Sequence, residues 1–318
     1  MSEPQLVPVH GRLRAEIGKV VVGQGAAVDE ILAAFVAGGH VLLEGVPGVA
    51  KTLIAKALAR SLDLRATRVQ FTPDLMPADI LGTSVFRPNT GSFELVRGPV
   101  FTDLLLADEV NRSPPKTQAA LLEAMEERQV TLEGTRHPLG PFFFVIATQN
   151  PVEYEGTWPL PEAQIDRFLV KVRVGYPSDA EEAELLRRAS ESGDPSDLAA
   201  KGVGPVLGQG DLAGLRAAAR RLPVSPAVLH YVGCLVRETR AMARVRLGAS
   251  PRAGLALLAV SRSLAALRGA EWLSPDDVKA VAHPVLRHRL LLRPEAELEG
   301  ATADDVVDEL LSSVEVPR

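Results

Sequence analysis

Five short apolar runs stand out in the first half of the chain: Val41 to Glu44, Thr67 to Phe71, Leu104 to Asp108, Phe142 to Thr148 and Phe168 to Val172. Each stays apolar along its length instead of alternating, as strands do when a parallel sheet buries both of their faces. The segments Thr52 to Leu62 and Thr117 to Glu127 between them carry helical periodicity. Strand and helix therefore alternate, which predicts a doubly wound α/β domain. Two segments break the alternation. Thr83 to Arg97 turns at Asn89-Thr90-Gly91 and Gln129 to Leu139 turns at Glu133-Gly134, so each predicts an inserted β-hairpin.

After Tyr176-Pro177 the strand signal stops. Ser178 with Glu181 predicts a capping box, and Ser225-Pro226, Ser250-Pro251 and Ser274-Pro275 each predict an N-cap followed by Pro in the first turn. The expected organisation is an α/β domain over residues 1–177 and a smaller all-α domain over 178–318, with a loop or hinge from Ser190 to Gly210. A 318-residue chain that is 46% apolar can build these cores without staples. One cysteine, Cys234, cannot form an internal disulfide and, within the apolar helix Ala227 to Arg237, is expected in the protein core and not as a nucleophile; a single thiol fits a cytoplasmic compartment. No apolar run reaches the ~20 residues of a membrane helix, and the N-terminus lacks the apolar stretch of a signal peptide.

The chemistry concentrates at strand ends. Gly45-Val46-Pro47-Gly48-Val49-Ala50-Lys51-Thr52 joins the first strand to a helix, where backbone N–H groups can wrap a phosphate. Lys51 is suited to the β- and γ-phosphates and Thr52 to Mg²⁺. The last glycine expected in such a loop is Ala50, which is tolerable at helical φ and costly at positive φ. Asp108 and Glu109 end a strand at the edge where open α/β sheets bind ligands. Asp108 suits Mg²⁺ coordination through water and Glu109 the polarisation of water, although an acidic strand end also caps helices. If the Phe142 strand neighbours the Leu104 strand, Asn150 reaches the attacking water or the γ-phosphate; otherwise Asn150-Pro151 is a turn. Arg167 precedes the last strand, either as an arginine finger at a subunit edge or as a surface residue paired with Asp166. Arg252 lies in the first turn of a helix, where the dipole disfavours a cation; a nearby anion such as phosphate explains it, and so does solvent screening.

Taken in order, V-V-G-Q from Val21, G-V-P-G-V-A-K-T, L-L-L-A-D-E-V-N-R, A-T-Q-N-P, L-P-E-A-Q-I-D-R-F and S-P-R resemble a MoxR-type AAA+ ATPase across nearly the whole chain. The resemblance implies a five-stranded AAA+ core with a helical lid, binding ATP with Mg²⁺. It makes Lys51 and Thr52 the Walker A pair, Asp108 and Glu109 Walker B, Asn150 sensor 1, Arg167 the trans arginine finger and Arg252 sensor 2 of the lid. Nucleotide contacts are implied for Val22 and Gly23 beside the adenine and for Gly45, Val46, Pro47, Gly48, Val49, Ala50 and Leu53 in the loop. The hairpins match the helix-2 and pre-sensor-1 inserts shared with magnesium chelatase and MCM-like relatives. Such proteins are usually hexameric, often partner a von Willebrand factor A domain, and act as chaperones in maturation or metal insertion.

The remaining features change this picture little. Lys and Arg total 35 against 40 Asp and Glu, a net charge of −5, which argues against a nucleic-acid motor; the run Arg237, Arg240, Arg244, Arg246 has no interleaved aromatics for base stacking. The six histidines lack the spacing of a helical zinc site. Where classical unfoldases carry an aromatic pore loop, this chain has Thr72 to Pro77, which weakens a threading mechanism. Three functions remain in view: an ATP-driven remodelling factor for protein clients, a nucleic-acid motor, and a nucleotide-dependent assembly scaffold.

Overall fold

A computed structural model describes residues 9–46, 48–89, 91–150, 156–192 and 197–317. The expected phosphate-loop residue Pro47, the hairpin-turn residue Thr90 and Pro151 lie outside the described residues. The first half contains α1 (Val9–Gly18), α2 (Gly25–Ala37), β1 (Val41–Glu44), α3 (Lys51–Ser61), β2 (Ala66–Gln70), α4 (Pro77–Leu81), β3 (Gly82–Arg87), β4 (Ser92–Arg97), β5 (Leu104–Asp108), α5 (Pro115–Glu127), β6 (Gln129–Leu132), β7 (Thr135–Pro138), β8 (Phe144–Gln149), α6 (Glu162–Ile165) and β9 (Val170–Arg173). The second contains α7 (Asp179–Ser192), α8 (Gln209–Arg221), α9 (Pro226–Glu238), β10 (Val245–Leu247), α10 (Pro251–Leu267), α11 (Pro275–Ala280), α12 (Ala282–Leu286), β11 (Leu291–Leu292), α13 (Pro294–Leu298) and α14 (Ala303–Ser313).

Strands β2, β5, β8, β1 and β9 form, in that order, one parallel five-stranded sheet. Alternate residues of the central strands feed separate cores. Leu104, Leu106, Phe144 and Ile146 join α1, α2, α3 and the lid helices; Leu105, Ala107, Val145 and Ala147 join α5. This two-sided burial is what their unbroken apolar character demands. The hairpins β3–β4 and β6–β7 form antiparallel pairs where the sequence predicts them, and the first exposes Phe86 against Phe93.

Four expectations need correction. Strand β2 is not buried on both faces: with only β5 beside it, it is an exposed edge strand carrying Arg68 and Gln70. The helical half is not all-α, because β10 and β11 pair as a short antiparallel ribbon. Cys234 is half-buried on α9, touching His230 and Arg237, and not in the core. Ser225 and Ser274 cap their helices through Val228 and Asp277, and Ser178 bonds the Glu181 carboxylate, but the Ser250 hydroxyl makes no cap bond. The loop between α7 and α8 is held at its far end, where Val206 donates to the Ser61 carbonyl.

At the amino edge of the sheet His40 is fully enclosed, accepting from Val145 N at Nδ1 and facing the Met125 carbonyl with Nε2. Burial drives its pKa down to about 3, so it stays neutral and acts as a structural bolt. Glu30 on α2 behaves oppositely. Burial raises its pKa to about 7 against the opposing pull of Arg287, with Asp304 and Asp29 adding repulsion. A carboxyl raised in the folded state binds protons that the unfolded chain has lost, so stability falls as pH rises from about 4.5 through about 7. Glu30→Gln is therefore expected to match wild type near pH 4.5 and to melt about 5 °C higher at pH 8, from at most about 3 kcal/mol. Melting followed by circular dichroism at the two pH values checks this; equal melting at pH 8 refutes it.

Candidate functional site

The carboxyl ends of β1, β8 and β5 lie side by side, because β8 pairs with both of the others. This adjacency brings the phosphate loop, Asn150 and the acid pair together at one edge. Between them lies a cavity of about 370 Å³ lined by Gly48, Ala50, Lys51, Thr52, Leu53, Lys56, Asp108, Glu109 and Asn150.

The loop is built from backbone constraints. At Gly45 a Cβ atom would meet the Val174 carbonyl at 2.4 Å, so the chain leaving β1 passes too close to β9 for any side chain. Gly48 sits at φ 85° with open space around it, leaving amides free of side-chain cover. Ala50 has φ 62° and ψ 18°, the left-handed conformation. The alanine is thus the costly case, at about 1–2 kcal/mol. Lys51 opens α3 and its Nζ donates to the Gly45 carbonyl at 2.8 Å, folded across its own loop. Val49 is buried and Val46 packs against the core, so these two support the loop from beneath and do not line the cavity.

The acids are held by residues that sequence reading missed. Thr148, fully buried on β8, donates to Asp108 Oδ1 at 2.5 Å and accepts from the Glu109 amide at 2.8 Å. Arg68 on β2 donates through Nη2 and Nε to Asp108 Oδ2 at 2.7 and 3.1 Å. The Glu109 carboxylate accepts from Gln70 at 2.8 Å and from Arg112 at 3.0 Å. Glu109 itself has φ 58°, a second strained non-glycine residue at this cavity. Thr148 lies inside the A-T-Q-N motif, and the polar alternation of β2 marks Arg68 and Gln70; only the strand order reveals what they face.

Arg167 and Arg252 lie elsewhere. Arg167 precedes β9, whose first turnward contact is Leu169 N to the His40 carbonyl at the amino edge. Four strand residues, about 13 Å, separate that edge from the cavity. Arg167 pairs with Glu126 at 3.2 Å, and Arg252 approaches the same carboxylate at 3.8 Å. The anion near Arg252 is thus Glu126, and Arg252 does not line its own chain's cavity. Asp166 pairs with Arg289, not with Arg167; Arg289, nearly enclosed, also donates to the Phe168 and Leu169 carbonyls and fixes the turn presenting Arg167. Val22 and Gly23 occupy the α1–α2 loop, which Gln24 ties to the Gly175 carbonyl beyond β9; they sit at the carboxyl edge beside the cavity without lining it.

Among the described residues no group of three His, Cys, Asp or Glu side chains is placed to hold a metal alone, and no helix is long and apolar enough to cross a membrane. Thr52 and Asp108 both line the cavity and carry the hard oxygen donors that would suit Mg²⁺. Lys51, Lys56 and the loop amides offer the complementary positive charge.

The model of the ATPase family associated with various cellular activities matches residues 40–170, and the AAA lid domain matches residues 237–310. YeaC of Bacillus subtilis (strain 168) is 44% identical over 99% of this chain and 97% of its own. Chaperone MoxR1 of Mycobacterium tuberculosis is 43% identical, covering 100% of this chain and 85% of its own. A crystal structure from Cytophaga hutchinsonii, designated a candidate ATPase, superposes with a TM-score of 0.88 at 40% identity, over 99% of this chain and 97% of that one. Five parallel strands in this order, a helical lid and near full-length likeness to these proteins make the chain a member of the MoxR-type AAA+ ATPase family.

Proposed function

We propose that the protein binds ATP with Mg²⁺ in the cavity between the phosphate loop and the Asp108–Glu109 pair, hydrolyses it, and uses the cycle to remodel protein clients as a chaperone. The observation that carries this reading is the convergence of Lys51, Thr52, Asp108, Glu109 and Asn150 on one cavity. Held by Thr52 and Asp108, a magnesium ion would supply positive charge against that of the phosphates. Lys51 leaves the Gly45 carbonyl for the β- and γ-phosphates, Thr52 and Asp108 supply oxygens to the ion, and the loop amides hold the β-phosphate. Glu109 draws a proton from the attacking water and Asn150 orients it.

Arg167 and Arg252, both at the opposite edge, serve the cavity of a neighbouring copy, so the working unit is a homo-oligomer, a hexamer by family likeness. In this reading the nucleotide-binding core spans residues 1–177 and the lid 178–318. The assembly works in the cytoplasm, with a client or a von Willebrand factor A domain protein as partner. The chaperone part draws on the name of the mycobacterial relative. The test is calorimetric titration of Lys51→Ala with ATP and MgCl₂. Loss of measurable binding is expected, because one of the two cations lining the cavity is removed; wild-type affinity would refute the assigned cradle.

A further inference from the structure

Helix α7 is 14 residues long, yet none of its described side chains is buried. Asp179, Glu182, Ala183 and Leu186 recur at steps of three and four, forming one stripe, and all are exposed, Leu186 at 68%. The other acids of the helix are engaged locally: Glu181 with Ser178, Glu184 with Arg187 and Arg188, and Glu191 with Arg187. Asp179 and Glu182 have no cation partner among the described residues. A helix carrying unpaired acids and an exposed leucine lacks a partner surface.

The complement is found on the lid. Helices α8 and α10 meet the end of α2 at a groove of about 140 Å³, lined by Val36, Ala37, Arg220, Leu255 and Arg262 among others. Arg220 and Arg262 form no ion pair among the described residues, and the Nε atoms of Arg262 and nearby Arg216 are buried without a hydrogen-bond partner. Burial first, and then Arg128 and Arg220, pull Arg216 down to about 10. Guanidiniums massed without a carboxylate repel one another, so an external anion is what this face lacks. Leu255, 70% exposed, stands at the groove. Positions 252, 255, 259 and 262 share one face of α10 over about 15 Å, so the helix face that lines the groove continues to Arg252.

We infer that the Asp179–Glu182–Leu186 stripe of α7 in one copy seats in the Arg220–Arg262 groove of the next copy, with Leu186 against Leu255. This rests on the assembly proposed above and goes further by naming the two faces that join. The polarity agrees. Helix α7 leaves the carboxyl edge of the sheet just past β9, whereas the groove lies on the amino-edge side with Arg167 and Arg252. Joining them turns the cavity of one copy toward the arginines of the next, a heterologous contact of the kind that builds rings when its rotation closes.

The experiment measures mass by light scattering with a non-hydrolysable ATP analogue and MgCl₂. The variants are R220E/R262E, D179K/E182K and the chain carrying all four changes. Each double variant is expected to associate at least tenfold more weakly than wild type, running toward the 34.0 kDa single chain; the fourfold variant should regain assembly. R220A/R262A, checked for unchanged melting, gives the same tenfold weakening should a reversal disturb folding. Wild-type assembly by R220E/R262E, or failure of the fourfold variant to reassemble, overturns the clasp while leaving the oligomer intact. A wild-type chain that stays single with nucleotide overturns the assembly reading itself, and the clasp with it.

Discussion

Glu109→Gln is expected to bind ATP with near wild-type affinity and to turn it over at least 100-fold more slowly, the scale on which a positioned general base contributes. The substitution keeps size while removing the negative charge and with it the capacity to take a proton. Its environment explains why binding survives. The Glu109 backbone is fixed by its amide bond to Thr148, and the neighbouring Asp108 keeps its bonds to Thr148 and Arg68. The side chain is held by two donors, Gln70 and Arg112. A glutamine can still accept both bonds through its amide oxygen, so the site should keep its shape. Steady-state phosphate release with parallel calorimetry checks the split. Wild-type turnover would remove Glu109 from the mechanism, and lost binding would mean that its charge supports the cavity and not the proton transfer. The outcome also separates a working ATPase from a scaffold whose nucleotide only sets assembly, since a scaffold would not register the change.

Much of this site was legible because its groups lie at the ends of apolar runs, where sequence order and spatial position coincide. The phosphate loop, Asp108–Glu109 and Asn150 are each a strand terminus, and parallel strands put all termini on one edge. The expectation for Asn150 was conditional on strand order, and the β5–β8 pairing meets the condition. Thr148, Arg68, Gln70 and Arg289 were not legible as site residues. Their roles come from pairing across strands or from contacts more than 100 residues apart, as in Arg289 with Asp166, which periodicity cannot encode. The edge position of β2 was hidden for the same reason: its Val69 and Phe71 read as buried, and only the sheet order leaves the opposite face open. The backbone at Ala50 was a question that only the dihedral could answer. An alanine held at φ 62° costs stability in a loop whose value lies in its amides, the kind of local conflict expected where function overrides preference.

Arg167→Ala should lose on the order of 100-fold or more in turnover with its own cavity untouched, since an arginine acting on the transferred phosphoryl group is worth at least that. Arg167 is held about 13 Å from the cavity edge of its own chain, by a turn that Arg289 clamps through Asp166, Phe168 and Leu169. A side chain so fixed serves another molecule's phosphates or none. Mixing Arg167→Ala with Lys51→Ala tests this directly, because neither variant has a complete site alone. In a randomly mixed ring, interfaces pairing the intact Lys51 of one chain with the intact Arg167 of the next make up roughly a quarter of the total, so up to a quarter of wild-type turnover should return. Arg252→Ala mixed with Lys51→Ala should recover in the same way, since Arg252 shares Glu126 with Arg167 and therefore the same face. Recovery with Arg167→Ala but not with Arg252→Ala would place Arg252 back over its own nucleotide, after a lid movement that breaks its contact with Glu126. No recovery in either mixture, despite co-assembly verified by affinity tags, would show that neither arginine acts across the interface.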